Sequence, residues 1–234
     1  QQKLGVWRNP EMKLQSLNVQ MVARDKTHKD PVVTALYDMP AVKAQLKLTY
    51  MVLDGGELNV KMQMTTDKNA KVSDMLRFGM VMQMPYNMDQ IRYFGRGPIE
   101  NYSDRKASER IGIYKQTADN QFFPYIRPQE NGTKQDIKWW QQTNASGTGL
   151  EIHGELGDLS MSALHYAIAD LDDGLEKGQR HSYQVKKSPF TNLCIDKEQT
   201  GVGGTNSWGE WPLERYRLHY GDRTYEFSLR PIAK

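Results

Sequence analysis

Residues 42–64 read VKAQLKLTYMVLDGGELNVKMQM, and this stretch decides the fold. Apolar side chains occupy alternate positions on both sides of Asp54-Gly55-Gly56, with Lys, Gln, Thr and Asn between them. A period of two is typical of a strand with one buried face. Glycine also tolerates the positive φ that a tight turn requires. The stretch therefore predicts a long antiparallel hairpin.

The same alternation recurs along the chain. It predicts further strands near 17–21, 33–37, 78–84, 111–114, 137–140, 150–153, 190–195, 215–220 and 225–229. One helix is predicted over 163–171, ended by Asp172-Asp173-Gly174. Many short strands separated by turn residues favour a sandwich over alternating βα units. We expect an all-β chain, a large antiparallel β-sandwich with at most one or two short helices, forming a single domain over 1–234.

Composition narrows the function classes. The 31 basic and 28 acidic residues give a net charge of +3 and are dispersed, which argues against a nucleic-acid partner. No apolar run approaches the roughly 20 residues of a membrane helix, so no membrane partner is expected. The one cysteine, Cys194, excludes an internal disulfide. It lies in an apolar, strand-like run, where a buried packing thiol is favoured over a nucleophile.

Motifs for catalysis are missing from the sequence. The five histidines show no metal-ligand spacing, and there is no nucleophile elbow, phosphate loop or dinucleotide fingerprint. The candidate carboxylates are Glu100, Asp104, Glu130 and Asp170–Asp173. The preferred interpretation is structural and pairs such carboxylates with Arg96, Arg105 or backbone amides. We therefore predict no catalytic residue, metal ligand or cofactor in this chain.

The most informative aromatic residue lies in GVGGTNSWG, residues 201–209. Four glycines leave little bulk nearby to cover Trp208. Its flat ring suits the C–H face of a sugar, while Asn206 and Ser207 can meet hydroxyl groups. The alternative is that Trp208 folds back into the sandwich, and the residues alone leave both interpretations open.

Three segments resemble the C-terminal domain of family 2 β-galactosidases. YFGRGPIENYSDR at 93–105 is similar to that family's G-x-G-P-x-E-N-Y-x-D-R signature. PYIRPQENG at 124–132 and GVGGTNSW at 201–208 resemble its P-Y-x-x-P-x-E-N-G segment and its G-x-G-G-D-x-S-W loop. Their order and separations also match. Similarity covers most of the chain from about Leu76 onward and is looser before it.

The resemblance implies a galactose mutarotase-like sandwich that packs beside a TIM barrel of the same enzyme. That barrel would carry the two catalytic glutamates and the magnesium of a retaining hydrolase acting on β-galactosides. Trp208 would form one wall of the galactosyl pocket, and the isolated chain would be inactive. The resemblance leaves a bacterial cytoplasmic or periplasmic location, and a homo-oligomer, open.

Two departures from the family pattern affect these expectations. Thr205 stands where the family loop has an aspartate, so any hydrogen bonds made by that carboxylate are in doubt. The family's opening R-A-P-x-D-N-D-like segment does not precede Gln1. We therefore expect a domain truncated at its N-terminus, with an exposed strand edge.

Two other functions stay open at this stage. A stand-alone, mutarotase-like aldose epimerase would need a general acid and base across a concave sheet. His153, His165 or His181 with Glu130 or Glu210 are its candidate residues. A free carbohydrate-binding module would use Trp208 and its neighbours.

Overall fold

The computed structural model describes residues 2–172, 180–206 and 208–233. Within these ranges, strands dominate and two four-residue α-helices occur. The strands are β1 Lys13–Ala23, β2 Lys29–Met39, β3 Ala44–Val52, β4 Leu58–Thr66, β5 Arg77–Pro85, β6 Gln90–Gly97, β7 Arg110–Thr117, β8 Lys134–Ile137, β9 Trp139–Thr143, β10 Gly149–Gly154, β11 Leu159–Leu164, β12 Phe190–Gln199 and β13 Arg223–Ile232. The helices are α1 Ala118–Gln121 and α2 Ile168–Leu171.

These strands form two antiparallel sheets. The larger has the order β1-β2-β3-β4-β13-β10-β9-β6-β7, and the smaller has the order β5-β12-β11-β8. The predicted all-β sandwich is confirmed. No helix in the described part of the chain is long and apolar enough to cross a membrane.

The hairpin predicted from residues 42–64 is present as β3 and β4. The two strands pair from Ala44 opposite Thr66 to Val52 opposite Leu58. Gly55 and Gly56 both have positive φ, at 76° and 80°, which is the backbone conformation expected of the turn.

The main hydrophobic core of the described residues lies between the two sheets, and a smaller cluster forms around Leu164, Leu171 and Val185. The alternating methionines Met62 and Met64 are buried in the main core, as their period predicted. At its centre the rings of Tyr93 and Trp140 stack with centroids 5.2 Å apart. The buried indole Nε1 of Trp140 donates to Gln142 Oε1 at 2.9 Å, so its polar atom is satisfied.

Two sequence predictions about secondary structure are wrong. The predicted helix 163–171 begins inside β11, and only Ile168–Leu171 is helical. Every residue of β11 is buried between β12 and β8, so the alternation that marks a strand is absent there. The predicted stop at Asp173-Gly174 lies outside the described residues.

The predicted strand at 215–220 is also absent. Residues Glu214–Tyr216 form a short 3-10 turn, and Leu218 makes only an isolated bridge with Met75. The segment joins a loop to β13. Its aromatic and charged residues alternate because they make contacts with neighbouring side chains, and not because they form a strand. Arg217 lies over the ring of Trp211 at 4.8 Å, for example.

β1 is an edge strand with unusual exposure. Leu17, Val19 and Met21 are 59%, 70% and 57% exposed. They pair with Ala35, Val33 and Pro31 of β2 and therefore share one face of the sheet. The sequence predicts an exposed strand edge, and β1 has this character.

Cys194 is buried within β12, as predicted, and Arg77 Nη1 donates to its Sγ at 3.4 Å. Burial raises the pKa of the thiol to about 11. At pH 8 we expect a disulfide reagent to modify the native protein roughly a hundredfold more slowly than the unfolded chain, because the thiolate is scarce and shielded. Ser146→Cys, in an exposed turn, supplies an accessible thiol as the control. Equal rates at positions 146 and 194 would contradict the prediction.

Lys134, the first residue of β8, is 1% exposed, and its Nζ donates to the Gly132 carbonyl at 2.8 Å. Burial lowers the pKa of this lysine to about 8. Between that pH and the ordinary lysine value the unfolded chain therefore holds more protons, so this lysine's contribution to stability rises with pH.

We predict that the free energy of unfolding of the wild type, relative to Lys134→Met, rises by up to about 3 kcal/mol between pH 8 and pH 10.5. Denaturant titrations of both proteins across this range measure the difference. Comparing the two proteins at each pH cancels the titration of every other group. A difference that does not change with pH would overturn the assignment.

Candidate functional site

The segment that carries Trp208 is tied at its base to the start of β5. Thr200 Oγ1 donates to the Met75 carbonyl at 2.7 Å and accepts from Leu218 N at 3.0 Å. Gly201 N donates to the Tyr216 carbonyl at 2.7 Å. The two ends of the segment are thus held together against the sandwich.

Above this base the segment narrows to a neck. A Cβ added at Gly204 would stand 2.4 Å from the Glu210 carbonyl oxygen, so the two backbones approach too closely for any other residue. At the tip, Asn206 Oδ1 accepts from Trp208 N at 2.8 Å. Because this bond closes a local turn, the tip has its own internal support.

The Trp208 side chain projects outward and is 93% exposed. The alternative prediction, in which Trp208 folds back into the sandwich, is wrong. Asn206 is also exposed, and its side-chain amide oxygen already accepts a hydrogen bond from Trp208 N. Ser207 lies outside the described residues. Contact of these three residues with a sugar stays a prediction.

The segment 93–105 accepts hydrogen bonds from the backbone of the loop through Asp104. Asp104 Oδ1 accepts from Val202 N at 3.1 Å, and Asp104 Oδ2 accepts from Gly203 N at 2.7 Å. A carboxylate that accepts from two adjacent backbone amides makes charge-assisted hydrogen bonds, which are stronger than neutral ones.

A second carboxylate joins 93–105 to 124–132. Glu100 Oε2 accepts from Gly132 N at 2.8 Å, and Glu100 Oε1 accepts from Arg105 Nη2 at 2.6 Å and from the Tyr125 hydroxyl. The Glu100 side chain is only 6% exposed. The three segments singled out in the sequence therefore form one hydrogen-bonded unit beneath Trp208.

Asn101 reinforces that unit. Its backbone N donates to the Thr133 carbonyl at 2.8 Å, and its Oδ1 accepts from Gln135 N at 3.0 Å. The residue is fully buried. The Asn101 side chain thus gives the backbone amide of Gln135, in β8, a hydrogen-bond partner outside the sheet.

Glu130 pairs with an arginine, but with Arg77 and not with the Arg96 or Arg105 named from the sequence. Its carboxylate lies 3.3 Å from Arg77 Nη2 and accepts from Thr133 Oγ1 at 3.1 Å. Arg77 pairs in addition with Asp196, which is 1% exposed. Burial raises the pKa of Glu130 and of Asp196, and the charge of Arg77 opposes that rise.

The histidines of the epimerase alternative contact groups other than its proposed glutamates. His153 pairs with Glu151 at 2.6 Å, and buried His165 pairs with Asp119 at 2.8 Å. His181 Nδ1 lies 3.1 Å from the Ile126 carbonyl. Over the described ranges, none of these three forms an ion pair with Glu130 or Glu210, and no group of three or more acidic, histidine or cysteine side chains could hold a metal ion.

Sequence reasoning missed two members of this arrangement. Arg77 sits at the start of a strand, where its charge gives no hint of a buried partner more than fifty positions away. Lys134 looks like a surface residue in the sequence, but in the fold it is 1% exposed. Both depend on long-range contacts that local patterns do not encode.

Comparison with known proteins identifies the chain's relatives. The family model described as the β-galactosidase small chain matches residues 1–230. A β-galactosidase of Priestia megaterium is 31% identical over 191 residues, which are 81% of this chain and 18% of that protein. One from Lactobacillus delbrueckii subsp. bulgaricus is 32% identical over 76% of this chain and 17% of its own length.

A third β-galactosidase, from Halalkalibacterium halodurans, is 23% identical over 95% of this chain and 21% of its own length. The chain thus spans about a fifth of the length of these relatives. With the family model matching nearly all of it, the chain belongs to the β-galactosidase small-chain family.

Proposed function

We propose that this chain is an accessory domain of a β-galactosidase and supplies Trp208 as one wall of the galactoside pocket. In this proposal the catalytic glutamates and the magnesium belong to a TIM-barrel domain of the same enzyme, against which this domain packs. Hydrolysis there is retaining and passes through a covalent galactosyl intermediate. This chain binds and orients the sugar and performs no step of bond cleavage.

The observation that carries the proposal is the exposure of Trp208. An indole that is 93% exposed gains almost nothing from burial within its own chain. Single exposed apolar side chains are common on protein surfaces, so the exposure of Trp208 supports a contact role only together with the hydrogen-bonded loop that carries the ring. Because the loop is fixed at its base and closed at its tip, the ring is presented and not merely disordered.

The chemistry of an indole fits a galactoside. Its apolar face can cover the C–H groups on one side of the pyranose ring, while neighbouring polar groups of the loop reach hydroxyls. Such stacking contributes on the order of 1 kcal/mol, or roughly fivefold in affinity. The relatives' length leaves ample protein to form the remaining walls.

In the complete enzyme, we expect Trp208→Ala to raise the KM for a nitrophenyl galactoside about fivefold or more, because the platform for the sugar is lost. Trp208→Phe should restore part of the loss, since it keeps a flat ring. Steady-state kinetics at saturating and limiting substrate separate KM from kcat.

Tyr183→Ala is the matched control, because Tyr183 is a similarly exposed aromatic residue, at 84%, outside the 201–211 loop. Unchanged kinetics in Trp208→Ala would refute the sugar-contact role. An equal loss in Tyr183→Ala would instead indicate a general effect on domain packing.

Tested by itself, the 234-residue chain should show no turnover of a nitrophenyl galactoside above background. It should likewise leave the rate of galactose anomer interconversion, followed by polarimetry, at the uncatalysed value. Turnover in the first assay would mean that the chain carries catalytic groups. Acceleration in the second would favour the epimerase alternative.

A further inference from the structure

Asp104 makes the two hydrogen bonds that link the glycine-rich start of the Trp208 loop to the segment 93–105. Its two carboxylate oxygens accept from consecutive backbone amides, those of Val202 and Gly203, at 3.1 and 2.7 Å. Consecutive amides pointing at one carboxylate fix both the position and the direction of the backbone that carries them.

The loop is also shaped around this side chain. A Cβ added at Gly201 would stand 2.5 Å from Asp104 Oδ2 and 2.6 Å from its Cγ. A Cβ at Gly203 would stand 3.2 Å from the same oxygen. The absence of side chains at 201 and 203 is therefore matched to the carboxylate, and the φ angles at these positions do not by themselves demand glycine.

Asp104 lies in a turn that is itself held by hydrogen bonds. Tyr102 and Arg105 exchange two backbone hydrogen bonds, at 3.2 and 2.8 Å, around the turn that contains it. Arg105 then pairs with nearly buried Glu100, which in turn accepts from Gly132 N. The chain of contacts from the sandwich to Asp104 is thus continuous.

We call the two hydrogen bonds from Val202 N and Gly203 N to Asp104 the clamp. Beyond the clamp, the loop has little contact with the sandwich. Residues 202–206 are all exposed, and the ring at position 208 follows five residues after Gly203. The base of the loop is anchored through Thr200 and Gly201, so removing the Asp104 bonds frees residues 202–206 to move relative to that base. The orientation of Trp208 depends on this connection more than on packing.

From this geometry we infer that Asp104 is the positioning residue for Trp208: its carboxylate holds the loop so that the indole is already aimed at the sugar before binding. The inference rests on the proposed function of Trp208 and adds to it the group that sets the ring's orientation. Fixing a binding group in advance reduces the entropy lost when the ligand binds. Loss of the clamp should therefore weaken sugar binding without removing any sugar contact.

The first test examines the clamp without any sugar. In Asp104→Asn one acceptor oxygen becomes an amide donor, so one of the two loop amides loses its partner. Hydrogen-exchange mass spectrometry on the complete enzyme should show peptides spanning 200–206 exchanging about tenfold faster, as expected for losing one charge-assisted bond. Unchanged exchange would overturn the inference.

The second test couples Asp104 to Trp208. Asp104→Asn should raise the KM for a nitrophenyl galactoside about twofold to fivefold, no more than Trp208→Ala does, and change kcat less. In the Trp208→Ala background, Asp104→Asn should then add nothing, because the group that it positions is gone. A fully additive effect would mean that Asp104 acts on stability or on another contact, and would overturn the positioning role.

The third test uses the fit between Asp104 and Gly201. Gly201→Ala should raise KM and speed loop exchange, because its methyl group displaces the carboxylate. Asp104→Ala removes the obstacle, so Gly201→Ala should have no further effect in that background. Gly221→Ala is the control, since its nearest neighbour would be the end of a flexible arginine at 3.7 Å. Strict additivity between positions 104 and 201 would contradict the clamp.

These outcomes separate the two proposals. Faster exchange in Asp104→Asn with unchanged KM would overturn the positioning role while the Trp208→Ala result still supports the sugar contact. Unchanged kinetics in Trp208→Ala would remove the proposed function, and the inference with it, whatever the exchange data give. Thermal unfolding of each variant distinguishes loop effects from loss of the fold.

Discussion

The structure around the loop depends on one kind of interaction, a carboxylate that accepts hydrogen bonds from the backbone of a distant segment. Glu100 receives Gly132 N, and Asp104 receives the amides of the loop. Neither segment is part of a strand where it makes these bonds, so sheet pairing cannot satisfy its polar groups. Two acidic side chains of the segment 93–105 thereby join irregular segments to the sandwich.

The buried charged side chains near these segments also have hydrogen-bonding or ion-pair partners. Arg77 is shared between Asp196 and Glu130, and the ammonium of buried Lys134 donates to the Gly132 carbonyl. Buried charges are tolerated only when each has a partner. Replacing one partner leaves the other uncompensated, which makes this region sensitive to substitution even where it touches no ligand.

Much of the fold could be predicted from the sequence because half-buried strands repeat with a period of two. β3 and β4 show this alternation directly, and the turn at Asp54-Gly55-Gly56 sets their register. β11 could not be predicted, since all its residues are buried and its composition also suits a helix. The hydrogen bonds made by Asp104 could not be predicted either, because its partners lie about a hundred positions away in the sequence. Sequence suggested a structural carboxylate there but not which amides it holds.

The placement of Trp208 shows why an exposed aromatic residue can be well positioned without being packed. Burial would hold the ring through apolar contacts, but a buried face is not free to meet a sugar. Backbone hydrogen bonds at 202, 203 and 208 fix the loop from within and below, and leave both faces of the indole open. Glycine at 201 and 203 follows from the same requirement, since a side chain there would displace the carboxylate that holds the loop. The glycine-rich composition of this loop is therefore a consequence of how the ring is held and not a sign of flexibility.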